Sequence, residues 1–156
     1  MTYIDTTLTA RTALQGESAE TQRKPLIVVV EDGVALSESF RPICDCLGVV
    51  VESIPSKDDL GPVLRNRNPM AVIAEMDALG QDGCHVLMTV AAYDRDLPTL
   101  LITVPDPTLL GAADAVEEVW RLSSVEKWEE QYSVAAIVDF LFRAGRKGCC
   151  MRLMTV

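Results

Sequence analysis

A doubly wound parallel α/β sheet is the fold this sequence predicts, and three observations predict it. Short apolar runs rich in β-branched residues recur along the chain, as LIVVV at 26–30, AVIA at 71–74 and TLLITV at 99–104. Continuous apolar runs of that length are strands buried on both faces. Stretches with apolar residues at helical spacing separate them, the alternation that builds a parallel sheet covered by helices on both sides. Two of the runs also end in acid, with Glu31 and Asp32 after the first and Glu75 after the third strand. Carboxylates therefore collect at the carboxyl ends of the strands, where open α/β sheets place their ligands.

Taken in order, residues 1–23 are rich in Thr, Ser, Ala, Glu and Gln with little apolar periodicity, which predicts a flexible arm. Pro25 marks the domain start. Strand 1 at 26–30 is followed by Glu31, Asp32 and Gly33, then by a helix over 34–47 whose positions Leu36, Phe40, Ile43 and Leu47 share one face. Pro42 lies inside that helix and is expected to bend it or loosen a turn. A second strand at 49–51 ends before Pro55 and Ser56, and a second helix over 58–64 ends near Asn66 and Asn68, ahead of Pro69. The third strand delivers Glu75 into a short acidic loop with Gly80 and Gly83, and a third helix covers 84–93. After Pro98, the fourth strand carries Thr103 near its end. A short helix over 109–115, a fifth strand at 119–122 and a last helix N-capped by Ser133 complete the pattern. The last helix has Val134, Ile137, Val138 and Leu141 in one stripe. Five βα units with short connections predict the flavodoxin-like (βα)5 order 2-1-3-4-5 in a single domain, with its ligand crevice between strands 1 and 3.

The totals bound the function. At 156 residues, with 49% hydrophobic and 24% charged, the chain fits one globular domain large enough to bury a core. No apolar run is long enough to span a bilayer, and no basic-then-apolar leader opens the chain, so a cytoplasmic protein without membrane contact is expected. Fourteen basic residues stand against 23 acidic ones, a net charge of -9, which repels phosphate backbones and argues against nucleic-acid binding. The five cysteines (Cys44, Cys46, Cys84, Cys149, Cys150) lack zinc-knuckle or redox spacing, and His85 is the only histidine, so reduced thiols are expected.

The convergence of Glu31, Asp32 and Glu75 with Thr103 resembles the receiver domain of bacterial two-component response regulators, over residues 24–146. Receivers carry an acidic pair after strand 1, an acceptor Asp ending strand 3 with Gly eight positions on, a Thr or Ser ending strand 4 and a Lys ending strand 5. The pair matches Glu31 and Asp32, the spacing to Gly83 puts Glu75 at the acceptor position, and the hydroxyl matches Thr103. Three departures mark a degenerate, pseudo-receiver type. The acceptor is Glu in place of Asp, Leu79 stands where Pro is usual, and the strand 5 Lys position falls on Ser123, with Lys127 further on.

Phosphoryl transfer needs an in-line carboxylate, a divalent ion and cations that take up charge, so these losses predict that ordinary phosphorylation is lost or atypical. What the resemblance implies is a non-enzymatic signalling module acting by contact with a protein: a histidine kinase, a phosphotransfer protein or a downstream regulator. A homodimer through the helix 4, strand 5, helix 5 face is implied as well, with Trp120 and Trp128 as interface candidates against the alternative that both fill the core. Glu31, Asp32 and Glu75 are candidate Mg2+ ligands, against the alternative that the cluster outlives its chemistry. Glu75 could instead reach Thr103 as a carboxylate stand-in for an acyl phosphate. Asp77 belongs to the same acidic pocket, and a stand-alone response regulator phosphorylated on Asp77 or Asp82 is the competing reading. A flavin-binding enzyme is the third, disfavoured because the acidic EDGVALSE loop would repel a flavin phosphate. The segment 147–156 mixes Cys149, Cys150, Met151, Leu153 and Met154 with basic residues, a second contact candidate or a tail docked on its own domain.

Overall fold

In the computed structural model the described residues are 24–55, 59–76 and 81–147, with the side chains of 81, 82 and 147 excepted. The expected arm at 1–23, Asp77, Leu79, the side chain of Asp82 and the apolar part of the tail lie outside them.

Five strands and five helices alternate: β1 (Leu26–Val30), α1 (Ala35–Leu47), β2 (Val50–Ile54), α2 (Leu60–Arg67), β3 (Ala71–Glu75), α3 (Gln81–Tyr93), β4 (Thr99–Thr103), α4 (Pro107–Trp120), β5 (Val125–Glu129) and α5 (Val134–Lys147). All strands are parallel and ordered β2-β1-β3-β4-β5, the doubly wound arrangement expected. Side chains alternate between two cores. Ile27, Val29, Ile73, Leu100 and Ile102 meet Phe40 of α1 and Ile137, Phe140 and Leu141 of α5. Val28, Val30, Val72, Ala74 and Leu101 meet α2, α3 and α4 through Leu60, Leu64, Leu87, Val90 and Leu109. Because β1, β3 and β4 are covered on both faces, they read as unbroken apolar runs.

Helix ends follow local chemistry. Gly48 takes a left-handed conformation (φ 73°) that closes α1, and Asn68 (φ 47°) closes α2. The α1 helix runs on through Pro42. Asp106 caps α4 by accepting from the Thr108 N–H at 2.9 Å, with Pro107 in the first turn. Ser133 caps α5 as expected, its hydroxyl accepting from the Ala136 N–H at 3.1 Å.

The end of the chain corrects the sequence reading. Of the residues expected to form strand 5, 119–122, the first two instead finish α4, which extends to Trp120 and stops where Arg121 turns left-handed (φ 57°). The true β5 is VEKWE, an edge strand with one neighbour. Its half-exposed residues alternate in character instead of forming an apolar run, the pattern of an edge strand charged against further pairing. Smaller shifts lengthen β2 to Ile54 and start α3 at Gln81.

Candidate functional site

The sheet reverses its winding between β1 and β3, and the carboxyl edge at such a switch point is where open α/β sheets place their ligand crevice. Glu31 follows β1 directly. Its backbone N–H donates to Ile54 O at 3.1 Å, and its side chain turns under the start of α1. One carboxylate oxygen (Oε1) accepts from the Leu36 N–H at 3.0 Å. The other (Oε2) accepts from the Ser37 N–H at 2.8 Å and the Ser53 hydroxyl at 3.3 Å. The residue at the N-cap itself is Val34, which offers no side-chain acceptor, so Glu31 satisfies the orphan donors of the first turn and places negative charge at the positive end of the helix dipole. Those bonds explain how a carboxylate only 5% exposed is tolerated. Asp32 is exposed beside it, and its side chain accepts no hydrogen bond among the described residues.

Glu75 ends β3, with Ile102 of β4 as its strand partner and its side chain exposed. Its carboxyl is pushed above the usual carboxylate range, first by partial burial and then by the negative charges of Glu31, Glu130 and Asp32. Thr103, at the end of β4, is buried, but its hydroxyl donates to Val104 O at 3.0 Å and does not bond to Glu75. Behind Glu75, the Met76 side chain lies against Gly83 in the first turn of α3, where an added Cβ would fall 2.8 Å from Met76 Cγ. Glycine at that position lets α3 close on the end of β3.

Strand 5 brings acid where a base was sought. Ser123 lies in the loop before β5, at the opposite end of the sheet from the crevice, where its hydroxyl donates to Asp96 at 2.5 Å. Lys127 stands inside β5 and faces α4, held by Asp114 at 2.6 Å and by Glu117. Burial alone would lower its pKa, but the bonds and charges of those two carboxylates outweigh it and raise the value. Glu129 ends β5 and Glu130 leaves it. Glu130 is the site residue the sequence reading missed; its signal was the acidic pair after a strand whose position had been misread. The crevice thus gathers Glu31, Asp32, Glu75 and Glu130, and no lysine or arginine acts on Glu75 among the described residues.

Among the described residues no group of three or more acidic, histidine or cysteine side chains is placed to hold a metal ion. Both Glu31 oxygens are already committed to α1 and Ser53. The interface candidates also separate. Trp128 packs inside, 5.9 Å edge-on from Phe140 and 5.7 Å from Tyr132, whereas Trp120 at the end of α4 is 42% exposed beside Val119 at 76%. Cys44, Cys46 and Cys84 form no disulfide, and burial pushes the Cys44 thiol up to about 12.

No protein-family model and no curated protein matches this chain. Solved structures do. The signal receiver domain of an HD domain-containing protein from Pseudomonas fluorescens Pf-5 superposes with a TM-score of 0.65 at 16% identity, over 80% of this chain and 97% of that one. The beryllofluoride-activated NtrC receiver domain gives 0.61 at 15% identity over 81% and 98%. A response-regulator receiver domain from Bacteroides fragilis gives 0.61 at 20% identity over 78% and 97%. The fold is that of a receiver domain. It spans nearly the whole length of these receiver structures, and no helix among the described residues is long and apolar enough to cross a membrane.

Proposed function

We propose that this chain is a pseudo-receiver: a signalling module that keeps the receiver fold, works through contact with a protein partner and has lost ordinary aspartyl phosphorylation. The observation that carries this reading is the sign of the crevice. Transfer of a phosphoryl group to a carboxylate builds negative charge on the phosphoryl oxygens, and catalysis depends on cations or donors placed to receive it. Glu75 at the acceptor position is surrounded instead by Glu31, Asp32 and Glu130, and Lys127 is turned away and neutralised by α4. An anionic phosphodonor is repelled before it reaches the site, and the raised pKa of Glu75 makes its carboxylate more costly to ionise.

Output through contact is supported by the exposed Val119 and Trp120 at the end of α4, beside β5. A histidine kinase, a phosphotransfer protein or a downstream regulator fits that role. The test is to incubate the protein with Mg2+ and acetyl phosphate and record its intact mass, with an ordinary Asp-bearing receiver as the positive control. No mass gain alongside a labelled control is the expected result. A stable gain of one phosphoryl group refutes the reading and directs mapping to Asp77 and Asp82.

A further inference from the structure

At the other end of the sheet, a groove of about 280 Å³ opens between the amino ends of β4 and β5 and the last turns of α5. Its floor is apolar, made by Pro98, Phe140 and Ala144, and the latter two are each only 1% exposed. Its rim carries Arg143, Arg146 and Glu126. Glu126 holds Arg143 at 2.8 Å, and Asp139 holds the same guanidinium through Nε at 2.9 Å. These bonds fix the side chain and leave the Nη2 amino group without a carboxylate among the described residues. Arg146 has no ion-pair partner there either.

We propose that this groove binds a small organic acid with an apolar body. An apolar floor bounded by a few fixed polar groups is the composition of small-molecule sites, and the volume lies just below their usual range, which limits the occupant to a small molecule. The charge argument selects an acid: the rim's one carboxylate, Glu126, is spent on Arg143, and among the described residues Arg146 is left without a carboxylate, so the rim keeps a positive charge in a chain of net charge -9. An occupant would be felt elsewhere. Phe140 touches Trp128 edge-on, Trp128 touches Tyr132, and Tyr132 stands two residues from Glu130, so the aromatic chain runs from the groove toward the acidic crevice.

Trp128 also supplies the assay. In full-length protein carrying Trp120→Phe, the remaining tryptophan emission is followed while 3-phenylpropanoate is added, with neutral 3-phenylpropanamide as the comparison. A saturable change with the acid is expected, with about tenfold weaker binding of the amide and about tenfold weaker acid binding in Arg146→Glu, at an unchanged melting temperature. No saturable response at millimolar acid overturns the proposal, as do equal responses to acid and amide. If Leu153→Asp alone shifts the emission with no acid present, residues 148–156 occupy the groove and the proposal fails. If Arg146→Glu changes the sedimentation coefficient, a second copy of the chain sits there and the proposal fails in the same way.

Discussion

Replacing Glu31 with Ala should unfold this protein more readily than any other single change in the crevice. The substitution removes both acceptors from the first turn of α1 and strands the Leu36 and Ser37 N–H groups in a buried setting. Losing an N-cap costs about 0.5–2 kcal/mol. Hydrogen bonds to a charged acceptor are worth about 1.5–3 kcal/mol each. Against this, one repulsion with Glu75 disappears, a small gain because Glu75 is exposed and screened. The net loss should therefore be about 2–4 kcal/mol. Glu31→Gln, which keeps one oxygen acceptor, should lose about half as much. Urea denaturation near neutral pH measures both, and with a slope of about 1–3 kcal/mol per molar urea the Ala variant should move the midpoint by on the order of 1–2 M. Asp32→Ala is the control, since its exposed side chain accepts no hydrogen bond among the described residues; it should stay within about 0.5 kcal/mol of the parent. Equal, small losses for Glu31→Ala and Asp32→Ala would refute the assignment of Glu31 as the cap of α1.

Two more perturbations test the same region. Glu75→Gln should stabilise the fold at neutral pH by up to about 1 kcal/mol, discounted for exposure. A carboxyl whose folded pKa lies above 4.5 weakens the fold when ionised, so the parent recovers stability as pH falls through that raised value, and the advantage of the Gln variant should vanish by about pH 4.5. Thermal melts of the two proteins across that range decide it, and a constant difference would contradict the electrostatic origin. Gly83→Ala gains about 1 kcal/mol of helix propensity but sets its Cβ 2.8 Å from Met76 Cγ, and overpacking costs about 1–3 kcal/mol. A net loss of about 1 kcal/mol is expected. In a Met76→Ala background the same change should become neutral or stabilising, and a double-mutant cycle without coupling would show that the contact is not what excludes alanine.

The strands legible in the sequence were those buried on both faces. β1, β3 and β4 read as unbroken apolar runs because helices cover each side, and their order followed from the βα alternation. β5 was not legible, because an edge strand needs only one apolar face and answers its open edge with charge, so VEKWE offers Trp128 to one core and Lys127 to α4. The stretch VWRL at 119–122, three of its four residues apolar, reads as the strand instead, although Val116 and Leu109 already continue a helical stripe into it. That single displacement decided how the site was read. With strand 5 at 119–122, the position ending it was a serine, which is merely neutral. With strand 5 at Val125–Glu129, Glu129 ends it and Glu130 leaves it, and the charge of Glu130 falls on Glu75. A neutral residue there would leave phosphoryl chemistry slow; an acid there opposes it. Glu31 is legible by its position, since spacing locates a carboxylate at a strand end, but only the folded chain shows that its oxygens accept from the next helix. Among the described carboxylates of the crevice, Asp32, Glu75 and Glu130 remain available to an outside group, and these three come from three different strand ends. Such a site holds its shape by the sheet and its charge by the loops, and a field of that sign favours the approach of a cation over that of an anion.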